Sequence, residues 1–146
     1  MGIEAQTLAE AAAAAMYSRD RASQALGITL DEIGPGRARM HMTVREDMVN
    51  GHDLCHGGLI FTLADSTFAF ACNSHNQSTV AAGCSIEFLA PARRGDVLTA
   101  IGEEQALLGR NGVYDIRVED QNGRLIAMFR GKSARIRGEV APSRPR

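Results

Sequence analysis

Residues 50–73 gather the side chains best suited to chemistry. The stretch reads Asn50-Gly51-His52-Asp53-Leu54-Cys55-His56-Gly57-Gly58, then an apolar run to Asn73 with Asp65 near its middle. Gly57-Gly58 opens a segment of helical length. The first N–H groups of a helix lack helical acceptors, and the helix dipole favours negative charge beside them. Glycine lets a ligand oxygen approach that backbone closely. The arrangement suits the oxyanion that develops on an attacked carbonyl. Two glycines can equally be mere punctuation before a helix. Asp65 is harder to set aside. A carboxylate in a buried helix is costly unless it is partnered or held in a pocket. Either the hydroxyls of Ser66 or Thr67 satisfy it, or it is kept for work as a base or nucleophile.

Other arrangements of these residues fare worse. His52, Asp53, Cys55 and His56 match no structural zinc spacing, and no second ligand cluster accompanies them, so no metal is expected. Cys55 and His56 are adjacent, whereas catalytic Cys–His pairs are usually distant in sequence. Gly131-Lys132-Ser133 resembles the end of a P-loop, but Ile126 stands where the first glycine belongs and no helix follows. No Gly-x-Ser-x-Gly elbow is present.

The elements that must position Gly57 and Asp65 can be read from periodicity. Residues 3–25 are alanine-rich, with Leu8, Ala12, Ala15 and Met16 on a helical repeat and Gly27 as a stop. Residues 29–33 and 37–44 read as strands around Gly34-Pro35-Gly36. In the second, Ala38, Met40, Met42 and Val44 alternate with polar residues. The central segment is apolar on nearly every face, which predicts a buried helix. It is too short and interrupted to span a membrane. Extended runs follow at 79–90, with Val80, Cys84, Ile86 and Phe88 on one side, then at 97–108, 113–119 and 125–136. Asn111-Gly112 and Asn122-Gly123 are hairpin signals, and strands so joined are antiparallel. The tail, 139–146, has two prolines and no core residues, and is expected to be disordered. The class is therefore α+β: one antiparallel sheet wrapped around a long central helix, with an extra N-terminal helix.

Composition agrees with one domain over 1–138. The 146 residues are 45% hydrophobic and 23% charged, with net charge −1. That balance argues against nucleic-acid or membrane-surface binding, which needs a basic excess. Three cysteines without Cys-x-x-Cys spacing are not a disulfide framework and fit a reducing cytoplasm. No secretory signal is visible, and Gln6 breaks the myristoylation motif that Met1-Gly2 would begin. Arg93, Arg94, Arg110, Arg130, Lys132, Arg135 and Arg137 crowd the second half. They form either a solvated face or a site for the phosphates of a carrier such as coenzyme A.

Asn50-Gly51-His52, Cys55-His56-Gly57-Gly58, Leu63-Ala64-Asp65 and Ala71-Cys72-Asn73-Ser74 together resemble the hotdog-fold acyl-CoA thioesterases. The likeness is strongest to the phenylacetyl-CoA branch of phenylacetate catabolism. It extends through Phe88-Leu89-Ala90-Pro91, Gly112-Val113-Tyr114-Asp115-Ile116 and Phe129-Arg130-Gly131-Lys132-Ser133, covering roughly 15–138. The resemblance implies hydrolysis of phenylacetyl-CoA or ring-hydroxylated relatives, with no metal or bound cofactor. By position, the Gly57 N–H would polarise the thioester carbonyl and Asp65 would activate water or attack directly. Asn50 would orient water or thioester, and His56 would line the site. Arg94, Asn111, Gly112 and Lys132 would be coenzyme A contacts. The alternatives are a hotdog dehydratase or hydratase, which usually needs a histidine paired with an acid, and a non-catalytic acyl-CoA-binding module. A small one-helix sheet leaves an edge strand to be paired, so a homodimer is expected. The resemblance implies a dimer of dimers. Gly57 and Asp65 are eight residues apart, roughly 12 Å along a helix, so one helix cannot easily serve one thioester with both. Shared sites are expected, with Asn50 and Gly57 from one subunit and Asp65 from its neighbour.

Overall fold

Period-two burial lays down the sheet. In the computed structural model, which describes residues 3–142, strand β2 (Arg37–Thr43) buries Ala38, Met40 and Met42. The residues between them point to the other face. β1 (Thr29–Gly34) pairs with β2. The others are β3 (Gln77–Phe88), β4 (Val97–Leu108), β5 (Asn111–Glu119) and β6 (Leu125–Glu139). All six form one sheet in the order β1-β2-β4-β5-β6-β3, antiparallel at every pairing. Helix α3 (Gly57–Cys72) lies on one face and buries Ile60, Leu63, Ala64, Thr67, Phe68 and Ala71. The sheet wrapped around a central helix is the architecture read from the sequence, and it is the hotdog fold.

Several details differ from expectation. The central helix is not buried on every side: Phe61, Thr62, Asp65, Ser66 and Ala69 are only half-buried. That flank carries the carboxylate. The N-terminal helix is two pieces, α1 (Ile3–Arg19) and α2 (Arg21–Ala25), because Asp20 caps a new helix. Its carboxylate accepts from the Ser23 N–H at 2.9 Å and the Ser23 hydroxyl at 2.7 Å. The buried face of α1 is Ala9, Ala12 and Ala13, while Leu8 is exposed. Small residues let α1 lie close along β1, where Gln6 Nε2 donates to the Ile33 carbonyl at 2.8 Å.

The first β4–β5 turn is Gly109-Arg110, since Leu108 pairs with Asn111. Gly109 has φ +60°, as the first central position of a II′ turn requires. Asn111-Gly112 is therefore strand. A Cβ on Gly112 would meet Ser133 Oγ at 2.7 Å and Tyr114 Cε1 at 3.0 Å. Asn122-Gly123 does lie in a turn, with Gly123 at φ +79°.

In β3 a bulge between Ala81 and Gly83 reverses the alternation. Cys84, Ile86 and Phe88 pair with Gly131, Phe129 and Ala127, while Val80 pairs with Ala134 and so points to the opposite face. Nor is the start of the tail loose. β6 runs to Glu139, and Ala141 exchanges hydrogen bonds of 2.7 and 3.0 Å with the Asn76 side chain. Residues 143–146 and Met1-Gly2 lie outside the described residues.

Candidate active site

The loop before α3 is built around Asn50. Its Oδ1 accepts from the backbone N–H of His52 at 2.9 Å and of Leu54 at 3.2 Å. With the oxygen fixed by two donors, the amide orientation is settled and Nδ2 is left to donate elsewhere. Asp53 takes φ +63° inside this loop, and Asn50 and Leu54 close it with a backbone bond of 2.8 Å. Cys55 N–H then bonds the Ala92 carbonyl at 2.8 Å and His56 N–H the Met48 carbonyl at 2.9 Å. His56, exposed, is the N-cap residue of α3 and gives no side-chain cap. The N–H groups of Gly57 and Gly58 consequently meet no acceptor among the described residues.

The Gly57 donor adjoins a cavity of about 350 Å³ lined by Asn50, Leu54, Gly57, Ile60, Phe88 and Pro91, among others. This is within the range of small-molecule sites. A larger cavity, about 900 Å³, lies between α1 and the end of β6 and contains none of Asn50, Gly57 or Asp65. Gly57 is needed for close packing: a Cβ there would meet the Phe88 ring at 3.1 Å. Phe88 and Leu89 remain 52% and 56% exposed. The cavity wall they form, at the β3 end of the sheet, is open on its outer side. The sequence signal for that wall was the apolar pair just before Pro91, which periodicity assigned only to the end of a strand.

Asp65 does not line this cavity. Neither hydroxyl beside it satisfies it: Thr67 Oγ1 donates to the Leu63 carbonyl at 2.8 Å, and Ser66 Oγ bonds Ser23 Oγ at 3.0 Å. Asp65 has no hydrogen bond or ion pair among the described residues. Burial pushes its carboxyl above the ordinary 3.8. Burial raises the Cys72 and Cys84 thiols, and the Asp65 charge raises both further.

The remaining candidates scatter. Arg94 stands beside the Asn50 loop, 3.9 Å from both Glu46 and Asp53. Asn111 starts β5, next to the Gly109-Arg110 turn, at the opposite end of the strands from Phe88. Gly112 is buried against Ser133 and Tyr114. Lys132 is exposed, and the alternation of β6 puts it on the sheet face away from α3. A single chain therefore unites Asn50, Gly57, His56 and Arg94 at one end of α3, and leaves Asp65, Asn111, Gly112 and Lys132 apart from them.

Thiol chemistry finds little footing. Burial pushes the Cys55 thiol up to about 11 and Cys72 to about 12. Cys55 Sγ contacts the backbone carbonyl of His56, not its ring. Among the described residues no three His, Cys, Asp or Glu side chains are grouped to hold a metal ion. No helix among them is long and apolar enough to cross a membrane. His41 is held by Asp31 at 2.8 Å and His75 by Glu104 at 2.8 Å, so neither is free to pair with Asp65.

The profile of the thioesterase superfamily matches residues 52–127. The acyl-coenzyme A thioesterase PaaI of Escherichia coli is 46% identical over 126 residues, 86% of this chain and 90% of that protein. A putative esterase of Archaeoglobus fulgidus is 33% identical over 128 residues, 88% of this chain and 83% of that one. Among solved structures, the E. coli PaaI protein from the phenylacetic acid degradation operon superposes with a TM-score of 0.90 at 45% identity. That superposition covers 92% of this chain and 97% of PaaI.

Proposed function

The chain belongs to the thioesterase superfamily, and on that premise we propose that it hydrolyses an acyl-CoA, phenylacetyl-CoA or a ring-hydroxylated relative, to the free acid and coenzyme A. One observation carries the reading. The Gly57 N–H, which meets no acceptor among the described residues, adjoins a cavity shared with Asn50, while Asp65, the carboxylate on that helix, is unpartnered about 12 Å along it, on its half-buried flank.

The thioester carbonyl oxygen accepts from the Gly57 N–H, which becomes a stronger partner as negative charge develops. Asn50 Nδ2 orients the water or the thioester, and His56 lines the mouth. Asp65 either takes a proton from the attacking water or attacks the carbonyl carbon itself; in both routes it acts ionised. The tetrahedral adduct collapses by breaking the C–S bond, and the thiolate leaves; on the general-base route the proton held by Asp65 passes to it, and on the nucleophilic route water then hydrolyses the acyl–Asp65 anhydride, releasing the acid and restoring the carboxylate. No metal or bound cofactor enters these steps. A dehydratase would want a histidine against Asp65, and His41 and His75 are committed elsewhere.

The distance along α3 is met by a second copy. β3 is an edge strand of 12 residues, exposed along most of its length. Antiparallel pairing of two β3 edges about a two-fold axis sets two α3 helices side by side in opposite directions. Each Asp65 then approaches the other chain's Gly57. Two such dimers make the tetramer, and three free thiols suit a reducing cytoplasm.

The test is thiol release from a panel of acyl-CoAs, run with and without EDTA. Phenylacetyl and hydroxyphenylacetyl thioesters should turn over best, and chelation should leave the rate unchanged. A folded protein that binds acyl-CoA tightly and releases no thiol would replace this reading with that of a binding module.

A further inference from the structure

The turn from α3 into β3 holds several elements through consecutive residues. The Asn73 amide holds Thr79, accepting from its N–H at 2.9 Å and donating to its carbonyl at 3.1 Å. Ser74 Oγ accepts from the Gly36 N–H, in the β1–β2 turn, at 2.8 Å. Asn76, at φ +65°, holds the backbone of Ala141 beyond β6. These contacts join neutral amides and hydroxyls and do not titrate. His75 differs, because its Nε2 lies 2.8 Å from Glu104 Oε1.

Glu104 is an unexpected residue for its place. Leu98, Ala100, Gly102 and Glu104 alternate along β4 on the face toward α3, and Leu98 and Ala100 are fully buried. A Cβ on Gly102 would meet Thr67 of α3 at 3.2 Å. The next place in this apolar row is a carboxylate, and the register with β5 shifts directly after it. Its cross-strand partner is Tyr114, buried against Phe68 with ring centroids 5.8 Å apart. The Tyr114 O–H donates to the same Oε1 at 2.7 Å. An ionised carboxylate only accepts, so it takes both bonds and its charge strengthens them. Protonation removes that charge beside a buried phenol and an imidazole.

Other charged and titratable groups surround the cluster. Arg135 of β6 bears on Glu104, and the Cys72 thiol of α3 bears on Tyr114. Glu4 of α1 and Glu139 of β6 line the large cavity together with His75. The β1–β2 turn presents backbone: a Cβ on Gly36 would meet Glu104 Cβ at 3.0 Å. Burial works to raise the Glu104 carboxyl, but the hydrogen bonds from His75 and Tyr114 and the charges of His75 and Arg135 outweigh it and hold the group below its ordinary 4.5. Its contribution to stability is therefore fully present above 4.5 and is lost as pH falls through the lower folded value. We infer that His75, Glu104 and Tyr114 form an acid-released latch that fastens the start of β3 to β4 and β5. β3 is an exposed edge strand, so release loosens the strand by which two copies would pair. That last step rests on the paired arrangement proposed above, and the latch itself does not.

Hydrogen exchange tests the latch, read at residues 77–80 as protection factors so that the pH dependence of the chemical rate cancels. In wild type, protection there should fall about tenfold between neutral pH and acid below 4.5, ahead of the interiors of β4 and β5. Glu104→Gln keeps the shape and removes the titrating charge. Its protection should be about tenfold lower than wild type already at neutral pH, and should change less than about twofold on acidification. His75→Gln leaves the Tyr114 bond to Glu104 in place and should show a smaller loss in the same direction. A Glu104→Gln protein with wild-type protection at neutral pH, or with the wild-type acid loss, would overturn the latch. If Glu104→Gln does not fold, unchanged neutral-pH protection in His75→Gln overturns it instead. Light scattering on the same samples reads the pairing: a pair that persists while residues 77–80 open would overturn the link to assembly and leave the latch standing.

Discussion

Asp65 is held at a thermodynamic disadvantage, which the proposed use as base or nucleophile would explain. Its carboxyl is partly desolvated and unpartnered, so its pKa stands above 3.8. Two consequences have definite signs. In the proposed mechanism Asp65 acts as the carboxylate, so kcat/KM should rise with pH through this elevated pKa. The acid limb of the pH–rate profile should therefore lie above the ordinary carboxylate range, and a limb at or below 3.8 would contradict the assignment. Stability runs the other way. A folded-state pKa above the unfolded value means the native chain binds the extra proton. Its contribution is fully present below the unfolded pKa and is lost as pH rises through the folded one. Asp65→Asn should thus lower kcat by a factor on the order of 10² to 10⁴ and, at neutral pH, raise Tm by a few degrees. Normal turnover in the folded variant would remove Asp65 from the mechanism. Asn50 carries a different expectation, because its Oδ1 also closes the loop before α3. Asn50→Asp keeps that acceptor and loses the Nδ2 donor. It should fold, and it should be at least tenfold slower in thiol release.

Helix α3 and strand β6 meet through an absent side chain. A Cβ on Gly131 would lie 2.6 Å from the buried Phe68 ring, which has no free direction to move. Gly131→Ala should cost about 1–3 kcal/mol by overpacking, read as a lower midpoint in urea with little change in slope. The same glycine opens the Gly-Lys-Ser sequence that mimics a P-loop, so a motif without a phosphate site still marks a close approach. Elements of this kind show how far the sequence could be read. The alternation of Ala38, Met40 and Met42 was legible because burial in a strand is a local, period-two signal. The reversal of Val80 was not, because a bulge is decided by pairing with β6. The Asn111-Gly112 turn moved two residues, since Gly109 offered an equally good positive φ and Gly112 was required against Ser133. At the site, Gly57 and Asp65 could be picked out from helix-start chemistry and from the anomaly of a buried acid. The cavity wall at Phe88 left only an apolar run before Pro91 in the sequence, because the cavity itself is assembled from segments distant in the chain.

At the scale of the molecule, the expectation is an obligate pair. Asp65→Ala and Asn50→Ala homodimers should each be nearly inactive. Random co-assembly makes half the dimers mixed, each with one intact site, so activity should return to about a quarter of wild type. Verified mixed dimers no more active than their parents would exclude independent shared sites. The sheet has two ends, and they are not alike. β3 is bare, whereas β1 is occupied: α1 runs along it, Gln6 takes the outward carbonyl of Ile33, and the strand is itself bulged between Leu30 and Glu32. One reactive edge per chain can be used once. Joining two copies consumes both, and no third chain can add to the sheet at either end. In the proposed dimer the N-terminal extension would thereby make growth by strand addition self-limiting. Removal of residues 1–19 would turn a closed pair into a monomer unit with two sticky ends, capable of filaments, and light scattering on the truncated protein should show open-ended assembly where the full chain shows a discrete particle.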